Sequence, residues 1–515
     1  MSFGGPVDMA NDSNPKDVEM AHATPSESSP ISGISPELLI EIFLATLTAS
    51  HAERKKASLT LISVSKYWRQ LALGTPEIWA TIHSRNPLFI RHLVAHAGHH
   101  LLTIRAEGLQ SDEDEPFLTI LGLLSRIHSL TLFSDWDDIR IRGFEEQWAS
   151  PAPQLEVLVS AGIIFPRNLF AGSAPHLRKL SIYFGSVDWY TFPDCPRLEE
   201  LDIAIPDAPI SISTLLSKLR KSPRLKQLMI ESALDDSIPV DGRVNLLELE
   251  EINLVDDTAR CVVKLLDHLS IPSSTHLRIS VDAEGIPTSH VDTIEAIQQC
   301  RKGASWCLRS LWVKQLNRFT SGVILKFPPE TGINGTNCKP HEISFTDIPD
   351  PFRRVTEIFG HLSLDHLESL DLDGEPLGDY SGELPRPTSL QAQTFWTMVA
   401  VIPSLQSLGV RRTYALAFVD YWSNSRAYSD QTTKPFESLL HLTYEKSDET
   451  QAELIGLKAA LRFLVPYFRR LTNLTIVSAV LLDEHWVETI RELRRPQTVD
   501  VIIKNGRECS ISMDP

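Results

Sequence analysis

An apolar signature, Leu-x-x-Leu-x-Leu or a close relative, recurs through most of this chain and constrains its fold more than any other feature. Clear copies are Ile127-Leu130-Leu132, Leu155-Leu158, Leu177-Leu180-Ile182, Leu198-Leu201-Ile203, Leu225-Leu228-Ile230 and Leu249-Ile252-Leu254. Later copies are Leu308-Leu311-Val313, Leu367-Leu370-Leu372, Leu405-Leu408-Val410, Leu439-Leu442-Tyr444 and Leu471-Leu474-Ile476. Weaker strand-like segments, Leu277-Ile279-Val281 and Ile343-Phe345, fall in the longer gaps. With these included, starts recur every ~21–38 residues, a period expected of stacked repeats. Alternate apolar residues read as a short strand buried on one face. Such a unit cannot cover its own apolar face, so neighbours must stack into one extended core.

Several copies share a lead-in, as in APHLRKLSI, CPRLEELDI, SPRLKQLMI and IPSLQSLGV. The proline ends the preceding helix or loop, and the first leucine packs inward at the bend. Helix-like stretches lie between copies, including 211–222, 258–269 and 390–402. Each repeat therefore reads as strand, loop, helix. The pattern resembles degenerate leucine-rich repeats, since the asparagine usual after the strand is mostly missing. The expected fold class is α/β, with an irregular solenoid over 127–510, parallel strands inside and helices outside. Residues 81–126 read as a helical connection and a first irregular repeat.

Residues 34–80 have a different pattern. Ser35 suits an N-cap, Pro36 the first helical position, and Glu37 the positive helix end. Leu38, Leu39, Ile42, Phe43 and Leu47 then form a helical stripe. Leu59, Ile62 and Val64 follow a polar break, and Trp68, Leu71 and Ala72 form a third apolar set. Three short helices make a core that is marginal alone. The segment resembles an F-box, the helical motif that docks a Skp-type adaptor of cullin-based ubiquitin ligases. Pro36, Glu37, Leu38, Ile42 and Phe43 carry the first half of the match, and Leu59, Val64, Trp68, Arg69 and Leu71 the second. The following LALGTPEIWATI resembles the extension of fungal F-box proteins. Two features depart from the pattern: Ile34-Ser35 replaces the usual Leu-Pro, and Thr48–Ala57 lengthens the first connection. The resemblance implies adaptor contacts at Pro36, Glu37, Leu38, Ile42, Leu59, Val64 and Trp68. It also implies a substrate-recognition subunit of an SCF-type ubiquitin ligase, bound to cullin through the adaptor and holding an unknown protein substrate. The alternative is a non-catalytic interaction scaffold with no ligase role.

The charge balance narrows the partners. A net charge of −17 at pH 7 argues against general nucleic-acid binding, because phosphate attraction needs a basic surface. The six cysteines are scattered without a CxxC, which fits a reducing compartment and a cytoplasmic or nuclear location. No signal pattern and no run of 18 apolar residues is present, so no membrane association is expected. The Asn-x-Ser/Thr triplets at Asn11, Asn334 and Asn473 read as chance. Residues 1–33 are polar and proline-rich, and are expected to be a disordered tail. Thr24-Pro25 and Ser29-Pro30 within them are candidate phosphorylation sites.

No catalytic motif is found. The chain lacks a phosphate-binding GxxxxGK[ST] loop, a GxGxxG after a strand and a GxSxG elbow. No Cys/His spacing suits a zinc-bound RING module. His92 and His96 are spaced to share a helix face, with His99 and His100 following, but there is no HExxH glutamate. They read as solvent-facing histidines at a helix end. Catalytic residues, metal and cofactor are therefore all read as none. An enzyme with a site assembled only in three dimensions remains the third reading. Trp189, Trp312, Trp396 and Trp422 are candidate interface anchors, each with packing as the plainer role. Substrate recognition is expected in residues 300–480, including the loops 374–387 and 423–435; 328–340 and 111–116 also read as loops.

Overall fold

The computed structural model describes residues 33–47, 51–84, 86–109, 115–134, 144–206, 208–235, 242–272, 274–282, 289–300, 310–315, 323–327, 341–346, 351–362, 364–374, 389–424, 435–446, 451–464, 470–478, 498–503 and 507–512. The tail before residue 33 and most of each anticipated loop, 374–387 and 423–435 among them, lie outside these. The chain divides into two compact units, Met1–Trp79 and Ala80–Pro515.

In the first unit, α1 (Pro36–Thr46) is capped by Ser35, whose hydroxyl accepts from the Leu38 amide at 3.4 Å. Its inward face carries Leu39 and Phe43, one turn apart and fully buried. Helix α2 (His51–Val64) begins inside the segment expected to be a lengthened connection. That segment is polar but contains no glycine or proline, and its Ala, Glu, Arg and Lys residues are good helix formers. Helix α3 (Lys66–Leu73) is capped by Ser65, which accepts from the Trp68 amide at 3.1 Å. A single turn, α4 (Pro76–Trp79), follows. There the Trp79 indole N–H donates to the Ala72 carbonyl at 2.8 Å. Leu61, Ala72, Ile78 and Trp79 complete the core.

The second unit contains strands β1 (Thr81–Ile82), β2 (Leu102–Leu109), β3 (Ile127–Ser134), β4 (Val157–Ala161), β5 (Lys179–Tyr183), β6 (Glu200–Ala204), β7 (Ile210–Ser211), β8 (Gln227–Glu231), β9 (Leu234–Asp235), β10 (Val244–Asn245), β11 (Glu251–Thr258), β12 (Leu269–Ser270), β13 (His276–Asp282), β14 (Ser310–Gln315), β15 (Val323–Phe327), β16 (His341–Thr346), β17 (Ser369–Gly374), β18 (Ser407–Arg411), β19 (His441–Lys446), β20 (Asn473–Ser478), β21 (Thr498–Ile503) and β22 (Arg507–Ser512). Its helices are α5 (Pro87–His96), α6 (Glu115–Leu121), α7 (Glu145–Trp148), α8 (Ile212–Arg220), α9 (Ala259–Asp267), α10 (Ser289–Cys300), α11 (Pro351–His361), α12 (Ser389–Ala400), α13 (Arg412–Asn424) and α14 (Gln451–Leu464).

Eighteen strands join one sheet. Pairing runs from β1 through β2, β3, β4, β5, β6, β8 and β11 to β13, then β16, β15, β14, and on through β17, β18, β19 and β20 to β21 and β22. The Leu-x-Leu pairs lie in register. Leu180 pairs with Leu201, Leu201 with Leu228, Leu228 with Ile252, and Ile252 with Leu277. Further along, Leu370 pairs with Leu408, Leu408 with Leu442, and Leu442 with Leu474. All of these side chains are buried. Helices α8 to α14 touch one another in chain order, α9 packing on β11 and β13, and α13 on β17, β18 and β19.

Not every strand is parallel, as the sequence reading had expected. β15 runs antiparallel to both β14 and β16, and β22 antiparallel to β21. A parallel return needs a crossover of a dozen or more residues. Only residues 316–322 separate β14 from β15, so the chain folds straight back. Order in the sheet is therefore reversed locally, and β14 rather than β16 meets β17.

The lead-in prolines have a more specific role than ending a helix. The amides of Leu177, Leu198 and Leu225 donate to the carbonyls of Ala174, Cys195 and Ser222 at 3.2, 3.1 and 3.3 Å. Pro175, Pro196 and Pro223 thus occupy the second position of a tight turn, where their fixed φ is favourable. The strand exits are equally repetitive. Gly162, Phe184, Ile205 and Ser232, each just past a strand, all have positive φ, at 72, 50, 46 and 46°. Their amides continue the ladder onto the next strand, Ile205 donating to the Glu231 carbonyl at 2.8 Å. For a β-branched residue such as Ile205 this conformation costs ~1–2 kcal/mol. At 162 glycine is required, because a Cβ would sit 1.8 Å from the Ser134 hydroxyl oxygen.

The in-register core carries a direct expectation. Leu201→Ala or Leu228→Ala should destabilise the second unit by about 2–5 kcal/mol, through lost burial and the cavity left behind. A urea titration should show the midpoint falling. A loss within experimental error would mean that these positions do not belong to a packed core.

Candidate functional site

Helix α1 is apolar on two adjacent faces. Leu39 and Phe43 face the core, yet Leu38 and Ile42, each one position earlier, are 56% and 44% exposed. A helix serving only its own core would place polar residues there. Leu59 and Val64 on α2 are 44% and 51% exposed. Pro36 and Glu37 are exposed at the α1 N-terminus, and Trp68 is half-buried with its ring 4.8 Å from that of Phe43. Five of the seven expected contact residues therefore present apolar surface to solvent or to a half-open edge, and Pro36 adds a sixth exposed non-charged position. Tyr67, 46% exposed at the start of α3, joins the set and was missed from sequence. Its signal was a large aromatic two residues after the Ser65 cap, in a first turn that has no need of one. Burying any one of these large side chains against a partner is worth roughly 1.5–3 kcal/mol.

The second unit offers a surface of another kind. The strand residues alternating with the leucines lie on the face opposite the helix layer. Parallel sheets usually have both faces covered, but no described helix packs on this one. On β5 and β6 several of its side chains are polar and engage one another across the strands. Lys179 pairs with Glu200 at 2.5 Å, and the Tyr183 hydroxyl donates to Asp202. Burial, reinforced by Asp202, pushes the Tyr183 hydroxyl up to about 12, and burial also raises the Asp202 carboxyl. Further along, Arg411 on β18 links Asp371 on β17 at 3.1 Å to Glu445 on β19 at 3.5 Å. Gly409 makes room for this, since a Cβ there would lie 2.6 Å from the Asp371 carboxylate. Burial raises the Asp371 carboxyl, with Arg411 opposing it.

Cys195 is buried and its thiol is pushed up to about 12 by that burial, which leaves it inert as a nucleophile. The His92 and His96 rings stack edge-on at 4.5 Å. Among the described residues no group of three or more His, Cys, Asp or Glu could hold a metal. No described helix is long and apolar enough to cross a membrane. Trp189, Trp396 and Trp422 are buried in the core and so are not exposed anchors; the Trp312 side chain lies outside the described residues. No protein-family model matches the chain, and a search of the curated proteins finds no match.

The raised Asp371 carboxyl gives a pH expectation with a defined sign. Its folded pKa lies above the unfolded value of about 4, so its contribution to stability is full below that value and is lost as pH rises through the folded pKa. Stability of the natural chain relative to Asp371→Asn should therefore fall over that window. Paired urea titrations at about pH 4 and pH 7 measure it, and a difference that grows with pH would contradict the assignment.

Proposed function

We propose that this chain is the substrate-recognition subunit of an SCF-type ubiquitin ligase. Residues 34–80 act as an F-box that docks a Skp-type adaptor, and residues 127–510 act as an irregular leucine-rich-repeat solenoid that holds a protein substrate. The observation that carries the first half is the solvent exposure of Leu38, Ile42, Leu59 and Val64, at positions where the resemblance puts adaptor contacts. The second half is supported by the long in-register run of mainly parallel strands with helices packed on the leucine face. The mechanism is proximity: the adaptor brings cullin and the RING component, and a held substrate meets the charged conjugating enzyme at high effective concentration. Lysine transfer then needs no chemistry from this chain, which would work in the cytoplasm or nucleus beside those partners.

The test is co-purification of a Skp-type adaptor with the full chain and with Pro36→Ala/Leu38→Ala. Both positions are exposed, so stability should change by less than ~0.5 kcal/mol each while adaptor capture is lost. Undiminished capture would refute the docking face. Capture without substrate ubiquitination in a reconstituted ligase would favour the scaffold reading instead.

A further inference from the structure

We propose that Arg69, together with Lys66, makes the α2–α3 corner of the docking face specific for a carboxylate, an aspartate or glutamate side chain of the docked adaptor. The inference deepens the reading of residues 34–80 as an adaptor-binding unit, and rests on it. It adds what the apolar side chains of that face leave open, the sign of the charge their partner carries beside them.

Arg69 is exposed on α3, yet its guanidinium is fixed on one side. Its Nε donates to the Ile62 carbonyl, in the last turn of α2, at 2.8 Å. The Ser65 carbonyl accepts from the Arg69 amide at 3.0 Å, and the Ser65 hydroxyl from the Trp68 amide at 3.1 Å. Backbone and side chain thus tie the corner between the two helices. Closing the end of α2 uses Nε alone. The Nη groups have no ion-pair partner among the described residues. A guanidinium held in this way has given up rotamer freedom before a partner arrives, and its remaining planar donors match the geometry of a carboxylate.

Lys66 lies three residues earlier, on the same helix face. It too is exposed and has no ion-pair partner among the described residues. Local electrostatics oppose this placement. Like charges one turn apart on a helix repel. Lys66 is also the first residue of α3, where the helix dipole disfavours a cation, and no acidic residue stands in that first turn. Glu37 and Glu41, the exposed acids of α1, form no ion pair with either cation. The cations border the apolar face directly, since exposed Val64 and Tyr67 stand two residues before Lys66 and one after it. Apolar surface edged by unpaired cations is complementary to a partner that sets a carboxylate beside its own apolar side chains.

The test measures binding of the full chain to a purified Skp-type adaptor by calorimetry at about 0.1 and 1 M salt, where charges reach about 10 and 3 Å. Lys66→Gln/Arg69→Gln should weaken binding about tenfold at low salt and far less at high salt. Arg69→Lys should bind more tightly than Arg69→Gln at low salt, because the charge remains. Lys66→Gln alone, which breaks no hydrogen bond of the corner, should cost about threefold, a loss that misfolding of an Arg69 variant cannot imitate. An equal loss at both salt concentrations would give Arg69 a structural role only and overturn the proposal, as would unchanged affinity in the double variant. Binding that survives the changes at 66 and 69 but is lost in Pro36→Ala/Leu38→Ala removes this proposal and leaves the docking reading standing. Absence of binding to the natural chain removes both.

Discussion

Every other feature of the second unit depends on the alignment of its leucines. A single strand with two inward side chains buries too little to hold itself together. Placed in register, as Leu201 is between Leu180 and Leu228, the same side chains form continuous apolar rows against the helix layer. The recurrent proline turn and the left-handed residue at the exits of β4, β5, β6 and β8 serve this alignment, one delivering the first leucine inward and the other passing the ladder to the next strand. Phe184, Ile205 and Ser232 accept an unfavourable conformation at equivalent places, which shows that register outweighs local preference there.

A sheet built this way has two unlike faces. The leucine face is consumed by the core, so whatever the chain recognises with this sheet must use the opposite face or the loops. Small and polar residues such as Ser181 and Gly409 keep that face low. The first unit solves a different problem: its core is small, yet it leaves large apolar side chains outside. Surface apolar residues scattered singly need no explanation, whereas several on three successive helices are what the proposed docking surface would present.

Much of this was legible in the sequence, because periodicity survives translation into structure. The Leu-x-x-Leu-x-Leu copies became strands, and Ser35, Pro36 and the Leu38/Leu39 doublet marked α1 and its two apolar faces. The antiparallel β15 was not legible, since Val323-Ile324-Leu325 carries no repeat signature and its direction depends on a short connection. Nor was the start of α2, where polarity was mistaken for a break although the Ala, Glu, Arg and Lys residues there are good helix formers. The tryptophans at 189, 396 and 422 fill the core, the plainer of the two roles the sequence offered for them.

The central claim is that the exposed face of α1 to α3 is built for a partner while the sheet's core is not. Amide hydrogen exchange on the full chain, with and without a purified Skp-type adaptor, tests it most directly. The account predicts new protection in α1, α2 and α3, with the amides of β3 to β11 unchanged. Protection absent from the first unit, or appearing only in the sheet, would contradict it.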